Sequence, residues 1–310
     1  LSMMATCPMF LRLPPPVLLI IATLCWAGHW VVARATISEV SPFALSFWRW
    51  SVASVVLAPF AFAALKAQRS LFLSSWKVVL ALSLTGTGLY NGVGYIGIQS
   101  TAATNALLIQ AMAPAFIPSV AFLILGERTR LVGIVGLAVS FFGVLIIASK
   151  LDLEALRTLN LNRGDLWVML NVVFWALYTL ALRFKPSALD SLALLFILAA
   201  TGAIQSVPFY VWEVHQGAGV HWNSVAIGGI LFLGCIPSVF AYLAWNRAVA
   251  VIGPAGASPY LYLTPVFGIS GAWLLLGERL QDYHVVGIAF ILSGVWLASK
   301  KRLQQDSKTI

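Results

Sequence analysis

Arg49 and His29 are the two basic side chains that fall well inside hydrophobic stretches of this 310-residue chain. Charge at membrane depth is costly, so such positions mark either function or a compensated structural role. Arg49 lies roughly 12 Å from the start of its stretch at 1.5 Å per residue. Its guanidinium suits a substrate carboxylate, and snorkelling or bonding a neighbouring carbonyl is the structural alternative. His29 suits a hydrogen bond to substrate or titration near neutral pH, against the alternative of a packed histidine. Every Asp and Glu falls in a loop or near the end of a stretch, so proton or Na⁺ coupling through an acid has no evident seat. An interior with one histidine and no carboxylate also lacks what an intramembrane enzyme needs, namely a nucleophile with its base or a metal cluster.

Aromatic and amide side chains carry the rest of the signal. Trp26, Trp30 and Trp48, with Trp175 and Tyr178 later in the chain, lie within hydrophobic stretches. Trp26 and Trp175 sit near mid-stretch, where a set of rings lining one cavity would stack on a flat substrate. Trp30 is nearer an end, where an interfacial belt is the alternative. Tyr90, Asn91, Tyr95 and Gln99 follow helical spacing, and Tyr242 with Asn246 repeats the pair formed by Tyr95 and Gln99. Amides and phenols of this kind bind a zwitterion without a counter-charge; hydrogen bonding between helices is their other use.

The elements that position these groups follow from composition. The chain is 60% hydrophobic and 9% charged, with mean hydropathy +0.92. Soluble domains carry about 25% charged residues, so this sequence excludes one. Ten stretches, at 15–34, 42–65, 76–98, 102–125, 130–149, 165–184, 188–212, 223–245, 254–276 and 282–299, predict ten membrane helices. The alternating short runs of an outer-membrane barrel are missing. The net charge of +9 sits in gaps between stretches without a nucleic-acid motif, so no nucleic acid is expected. Cys7, Cys25 and Cys235 are scattered and imply neither a disulfide framework nor a metal site.

With the N-terminus inside, Lys and Arg number thirteen in the inner segments against five outside. That bias predicts cytoplasmic termini. The outer loop at 150–164 reads as a short amphipathic segment at the surface. Ala33-Arg34-Ala35 resembles a signal-cleavage site, a coincidence given the repeat, which needs the first stretch.

That repeat is the strongest organising feature. Leu125-Gly126-Glu127-Arg128 recurs as Leu276-Gly277-Glu278-Arg279, and Pro114, Gly136 and Gly143 match Pro265, Gly287 and Gly294 at the same offset. Trp26-Ala27 matches Trp175-Ala176, and Phe47 matches Phe196. Five helices per half make the second half enter from the opposite side, which is the architecture of alternating-access carriers. The expected fold is therefore all-α, with ten transmembrane helices as two inverted five-helix repeats over 1–150 and 151–310. Glycines at 86, 88, 92, 94 and 97 give the third helix a thin surface for close approach. Pro114 and Pro265, mid-stretch in the fourth and ninth helices, are expected to kink them as paired bends, whether static or hinged.

The Gly-Glu-Arg element after the fourth and ninth stretches, in a chain of two five-helix halves, resembles the EamA branch of the drug/metabolite transporter superfamily. Trp26-Ala-Gly-His-Trp30 and the aromatic interior are similar to its bacterial exporters of aromatic amino acids. The resemblance implies a secondary transporter, not an enzyme, exporting aromatic and other neutral amino acids across the bacterial inner membrane by alternating access. It implies no cofactor. Its partners would be the amino-acid substrate and the lipid bilayer, with a monomer sufficient and an oligomer left open. Uniport is the simplest expectation; export of other flat metabolites or drugs, with proton coupling, is the alternative.

Overall fold

The computed structural model describes residues 12–101, 103–150, 162–276 and 280–299. Each apolar stretch folds as a helix because a chain in lipid must satisfy its backbone hydrogen bonds internally. Local signals set many of the starts. Pro14, Pro15 and Pro16 open α1 (Pro15–Thr36), and Pro42 opens α2 (Pro42–Ala67), where a missing N–H is harmless. Asn162 and Asp165 form a capping box at α6 (Arg163–Ala181), Asp190 caps α7 (Ser191–His215), and Asn223 caps the first segment of α8 (Ser224–Cys235). The helices α5 (Leu131–Ser149) and α10 (Asp282–Ser299) are unbroken.

The remaining four passes are irregular where the sequence predicts plain helices for the third and eighth stretches and proline-kinked ones for the fourth and ninth. The α3 pass runs as Trp76–Ser83, a π-helical turn Leu84–Gly88, and Leu89–Ser100. The α8 pass has the same design, with Ser224–Cys235, a π turn Ile236–Phe240 and Ala241–Ile252, and so ends well past the expected 245. The α4 pass is interrupted between Ala103–Gln110 and Ala113–Leu125. The α9 pass consists of Pro254–Ala257, a 3₁₀ stretch Ser258–Tyr262, and Leu263–Leu276. Pro114 lies in the first turn of a helix restarted after an interruption, where no intrahelical bond is lost, so it begins a segment instead of bending a continuous one; Pro265 lies where the 3₁₀ stretch passes directly into α-helix, an irregular junction and not the middle of a regular helix.

Among the described residues, eight helices are long and apolar enough to cross a membrane. The other two expected passes are α3, diluted by glycines, Tyr90, Asn91 and Gln99, and α9, whose regular piece is short.

The packing has an internal two-fold character. Helices α5 and α10 run antiparallel, with Gly136 against the Gly294 carbonyl and Gly143 against that of Gly287. An added Cβ at either Gly136 or Gly143 would lie 2.6 Å from the facing oxygen. Helices α2 and α7 also pair antiparallel, through the stacked Phe43 and Phe209 rings and a Ser46–Ser206 hydroxyl contact. Each helix in this pair satisfies the start of the other. Glu213 near the end of α7 accepts from Ser41 Oγ and from the amides of Phe43 and Ala44. Gln68 after α2 accepts from the Asp190 amide and donates to the Ala188 carbonyl. Partners exchange in the centre, where α1 packs on α8 and α9 while α6 packs on α3 and α4.

The carboxylate of Glu213 is buried, and its loss would strand the amides at the start of α2. Glu213→Ala is expected to lower stability by about 3 kcal/mol, read as an earlier thermal transition of the detergent-solubilised protein.

The Gly-Glu-Arg element after α4 has a physical basis. Gly126 adopts φ +68° as the α4 terminus, a conformation suited to glycine, and Glu127 then pairs with Arg183 at 2.8 Å. The second copy at 277–279 and most of the 150–164 loop lie outside the described residues.

Candidate functional site

Helix α2 carries Arg49 into the middle of the bundle, where its side chain is 1% exposed. Three other helices supply its partners. Nη1 lies 2.8 Å from His29 Nε2 on α1, 2.7 Å from Asn91 Oδ1 and 2.8 Å from Tyr95 Oη, the last two one turn apart on α3. Nε donates to Ser238 Oγ, 2.6 Å away, in the π turn of α8. The Tyr95 hydroxyl sits 3.1 Å from His29 Nε2, so it can accept from Arg49 and donate to the histidine. An Arg donor aimed at Nε2 requires that nitrogen to be unprotonated, which puts the neutral ring's hydrogen on Nδ1. The guanidinium also lies 5.0 Å over the Trp50 ring. All these partners are neutral. Burying a cation without a carboxylate is expensive, and Nη2 makes none of the bonds just described.

Arg49 and His29 border a cavity of about 390 Å³. Its aromatic wall joins the two halves of the chain. Trp26 and Trp175 meet edge to face at 5.0 Å, Tyr90 lies 5.3 Å from Trp175, and Tyr242 lies 5.7 Å from Trp175. The breaks in α4 and α9 supply the rest, because interrupted helices turn Gln110 and Pro114, and Tyr262, Thr264 and Pro265, into the lining. Gln110 donates to Asn171, which in turn donates to the Tyr90 carbonyl.

The two π turns pin the wall across the seam. A π turn releases a carbonyl from the regular ladder. Pro237 O on α8 accepts from Trp26 Nε1, and Gly86 O on α3 accepts from the Tyr242 hydroxyl at 2.6 Å. Each bond runs between the halves.

Among the described residues, the cavity lining reaches one face. Its lining continues along α1 to exposed Arg34, whose guanidinium donates to the Ile98 carbonyl. Towards the other face, Leu18, Leu19 and Ala22 of α1 and Trp245, Ala248 and Val249 of α8 are almost fully buried. Tyr178 donates to Asn246 at 2.7 Å on that closed side.

The structure brings together most of the residues singled out in the sequence. Trp26, His29, Trp30, Arg49, Tyr90, Trp175 and Tyr242 line the cavity, as do Pro114 and Pro265. Trp30 thus faces the interior, 4.7 Å from His29, and not the lipid interface. Asn91 and Tyr95 stand behind the lining and hold Arg49, while Tyr178 and Asn246 pair with each other. Two residues stand apart. Trp48 packs edge to face on Trp222, because it follows α2 onto a different face from Arg49. Gln99 is exposed, since it lies on a different face of α3 from Gly97 and Ile98, which pack inward in the same last turn. Ser238, Gln110, Tyr262 and Thr264 were not singled out. Gln110, an amide in an apolar stretch four residues before a proline, was the legible one.

The family model of the EamA-like transporter family matches the chain twice, over residues 14–149 and 162–300. An uncharacterized transporter of Archaeoglobus fulgidus is 28% identical over 295 residues, covering 93% of this chain and 98% of its own. A probable terminal-alkyne amino-acid exporter of Streptantibioticus cattleyicolor is 27% identical, covering 92% of this chain and 93% of its own. A solved crystal structure at 18% identity superposes with a TM-score of 0.74, covering 93% of this chain and 98% of that one, a likeness of fold.

Proposed function

Because the chain belongs to the EamA-like transporter family, we propose that it exports aromatic and other neutral amino acids by alternating access, with the substrate carboxylate on Arg49. Membership makes it a multi-pass membrane transporter rather than an enzyme. The observation that carries the substrate reading is the buried guanidinium bordering an aromatic cavity and bonded only to neutral groups. The relative named as a probable amino-acid exporter supports the same class.

In this reading residues 1–150 and 151–310 are the two inverted repeats. Trp26, Trp30, Tyr90, Trp175 and Tyr242 hold the apolar body of the substrate, while His29, Asn91 and Tyr95 orient Arg49. Tyr178, Asn246 and the segment starts at Pro114 and Pro265 belong to the parts that move as access switches. The termini are cytoplasmic and the membrane is the bacterial inner membrane, so the cavity faces outward here. Among the described lining residues there is no carboxylate to carry a coupling ion, which favours uniport.

Counterflow in proteoliposomes with labelled phenylalanine, threonine and a nucleoside tests the substrate class. Phenylalanine and threonine are expected to exchange and the nucleoside is not; exchange of the nucleoside alone refutes the reading. Alternating access is tested with single cysteines after Cys7, Cys25 and Cys235 are replaced. Gly268→Cys, where a side chain meets open space in the lining, should react with an impermeant thiol reagent from the face carrying residues 37–41. Ala248→Cys, on the closed side, should react only from the opposite face, and more so with substrate present. Labelling indifferent to substrate at both positions would refute switching.

A further inference from the structure

The cavity is asymmetric in charge. Arg34 and Arg49 line it, and among the described residues no Asp or Glu does. Arg34 is at the exposed mouth, whereas Arg49 is buried and leaves Nη2 outside its hydrogen bonds to neutral groups. A second group points to the same chemistry. Tyr262, 1% exposed, lines the cavity, and its hydroxyl is buried without a hydrogen-bond partner among the described residues.

A carboxylate entering this space meets a guanidinium donor and an unpartnered phenol. Both bonds are stronger to an anion than to a neutral acceptor. An ammonium entering the same space meets two cations and, among the described residues, no acid, with ring faces and neutral acceptors such as Gln110, Thr264 and the tyrosine hydroxyls to replace its water. Ring faces attract a cation weakly compared with what the buried Arg49 guanidinium repels at low dielectric, and Arg34 at the exposed mouth adds a screened repulsion. A site discriminates most strongly through the buried groups it would leave unpaired; here the guanidinium can only donate, and the Tyr262 hydroxyl can donate as well as accept.

We propose that the cavity recognises its substrate as a carboxylate anion with a flat apolar body, and that the α-ammonium group is not required. The protein therefore also transports aromatic carboxylates that lack an amino group. This rests on the reading that substrate binds in this cavity, and it narrows the determinant from the zwitterion to one of its two charges.

The test compares two halves of phenylalanine. In proteoliposomes of the full chain, 3-phenylpropionate (acid without amine) and 2-phenylethylamine (amine without acid) compete against labelled phenylalanine counterflow. Half-inhibition by 3-phenylpropionate is expected within about tenfold of unlabelled phenylalanine, and 2-phenylethylamine at least about tenfold weaker than the acid. An amine that competes as well as the acid overturns the proposal. So does an acid that fails to compete.

Binding of the same two probes to purified protein, followed by tryptophan fluorescence, gives an independent reading. 3-Phenylpropionate should saturate, and Arg49→Gln should weaken it about tenfold or more. Should that variant fail to fold, Tyr262→Phe is expected to weaken the acid about threefold, with the amine unaffected. If phenylalanine does not exchange but 3-phenylpropionate binds in this way, the amino-acid reading falls and the anion inference stands. If phenylalanine exchanges while 3-phenylpropionate neither competes nor binds, the outcome is reversed.

Discussion

Replacing Arg49 with Met is expected to reduce phenylalanine counterflow about 100-fold. The estimate follows from a charge-assisted bond pair to a carboxylate, worth about 3 kcal/mol where water is excluded. Met fills much of the aliphatic volume, so the loss tests the charge and not the packing. Four partners, His29, Asn91, Tyr95 and Ser238, lose a donor at once, and some loss of thermal stability should accompany the change. Arg49→Lys separates the two effects. Lysine keeps the charge but cannot present a planar fork to several acceptors, so flux should recover only in part. Counterflow per reconstituted protein, with monodispersity checked by gel filtration, reads the result. Wild-type flux in Arg49→Met would mean that the guanidinium is a structural cross-brace between α1, α2, α3 and α8.

The second large effect is expected at Trp175. Its ring lies within 5.7 Å of Trp26, Tyr90, Tyr178, Tyr242 and Trp245, which makes it the hub of the aromatic wall. Trp175→Ala removes an indole from a packed interior, at a cost of about 3–5 kcal/mol. The transport effect has to be distinguished from this destabilisation. Phenylalanine flux should fall more than about tenfold while threonine flux falls less, because only a flat side chain gains from ring contacts. Trp175→Phe, which keeps a ring, should retain flux within about threefold of wild type on the same grounds. Equal loss for both substrates in Trp175→Ala, at normal expression, would assign the residue to packing alone.

Trp26 and Trp175 also mark the boundary between local and non-local information. They match in the repeat, and they touch each other at the seam. A pair of equivalent residues in direct contact lies close to the axis relating the halves, so the repeat located this part of the wall. Helix positions were legible for a similar reason. Apolar runs with prolines, Asp190, Asn162 and Asn223 at their starts are local signals, and lipid allows such runs few structures besides helix.

Equivalence in sequence did not extend to equivalence in place. Tyr95 and Tyr242 are repeat partners, yet Tyr95 holds Arg49 while Tyr242 lines the cavity and bonds to Gly86 O. Gln99 is exposed and its counterpart Asn246 is buried against Tyr178. One cavity open towards one face makes matched positions unlike, and sequence similarity carries no record of which side is closed.

Other features depended on contacts between distant segments. Glu213 reads as a loop-end acid until α7 brings it to the start of α2. The interruption before Pro114 and the 3₁₀ stretch before Pro265 were not legible, because a proline's effect depends on the backbone that precedes it. Arg49 and His29 were conspicuous in the sequence as polar groups in apolar surroundings. Their joint role came only from the tertiary structure, in which α1, α3 and α8 converge on α2 and surround a buried cation with neutral acceptors.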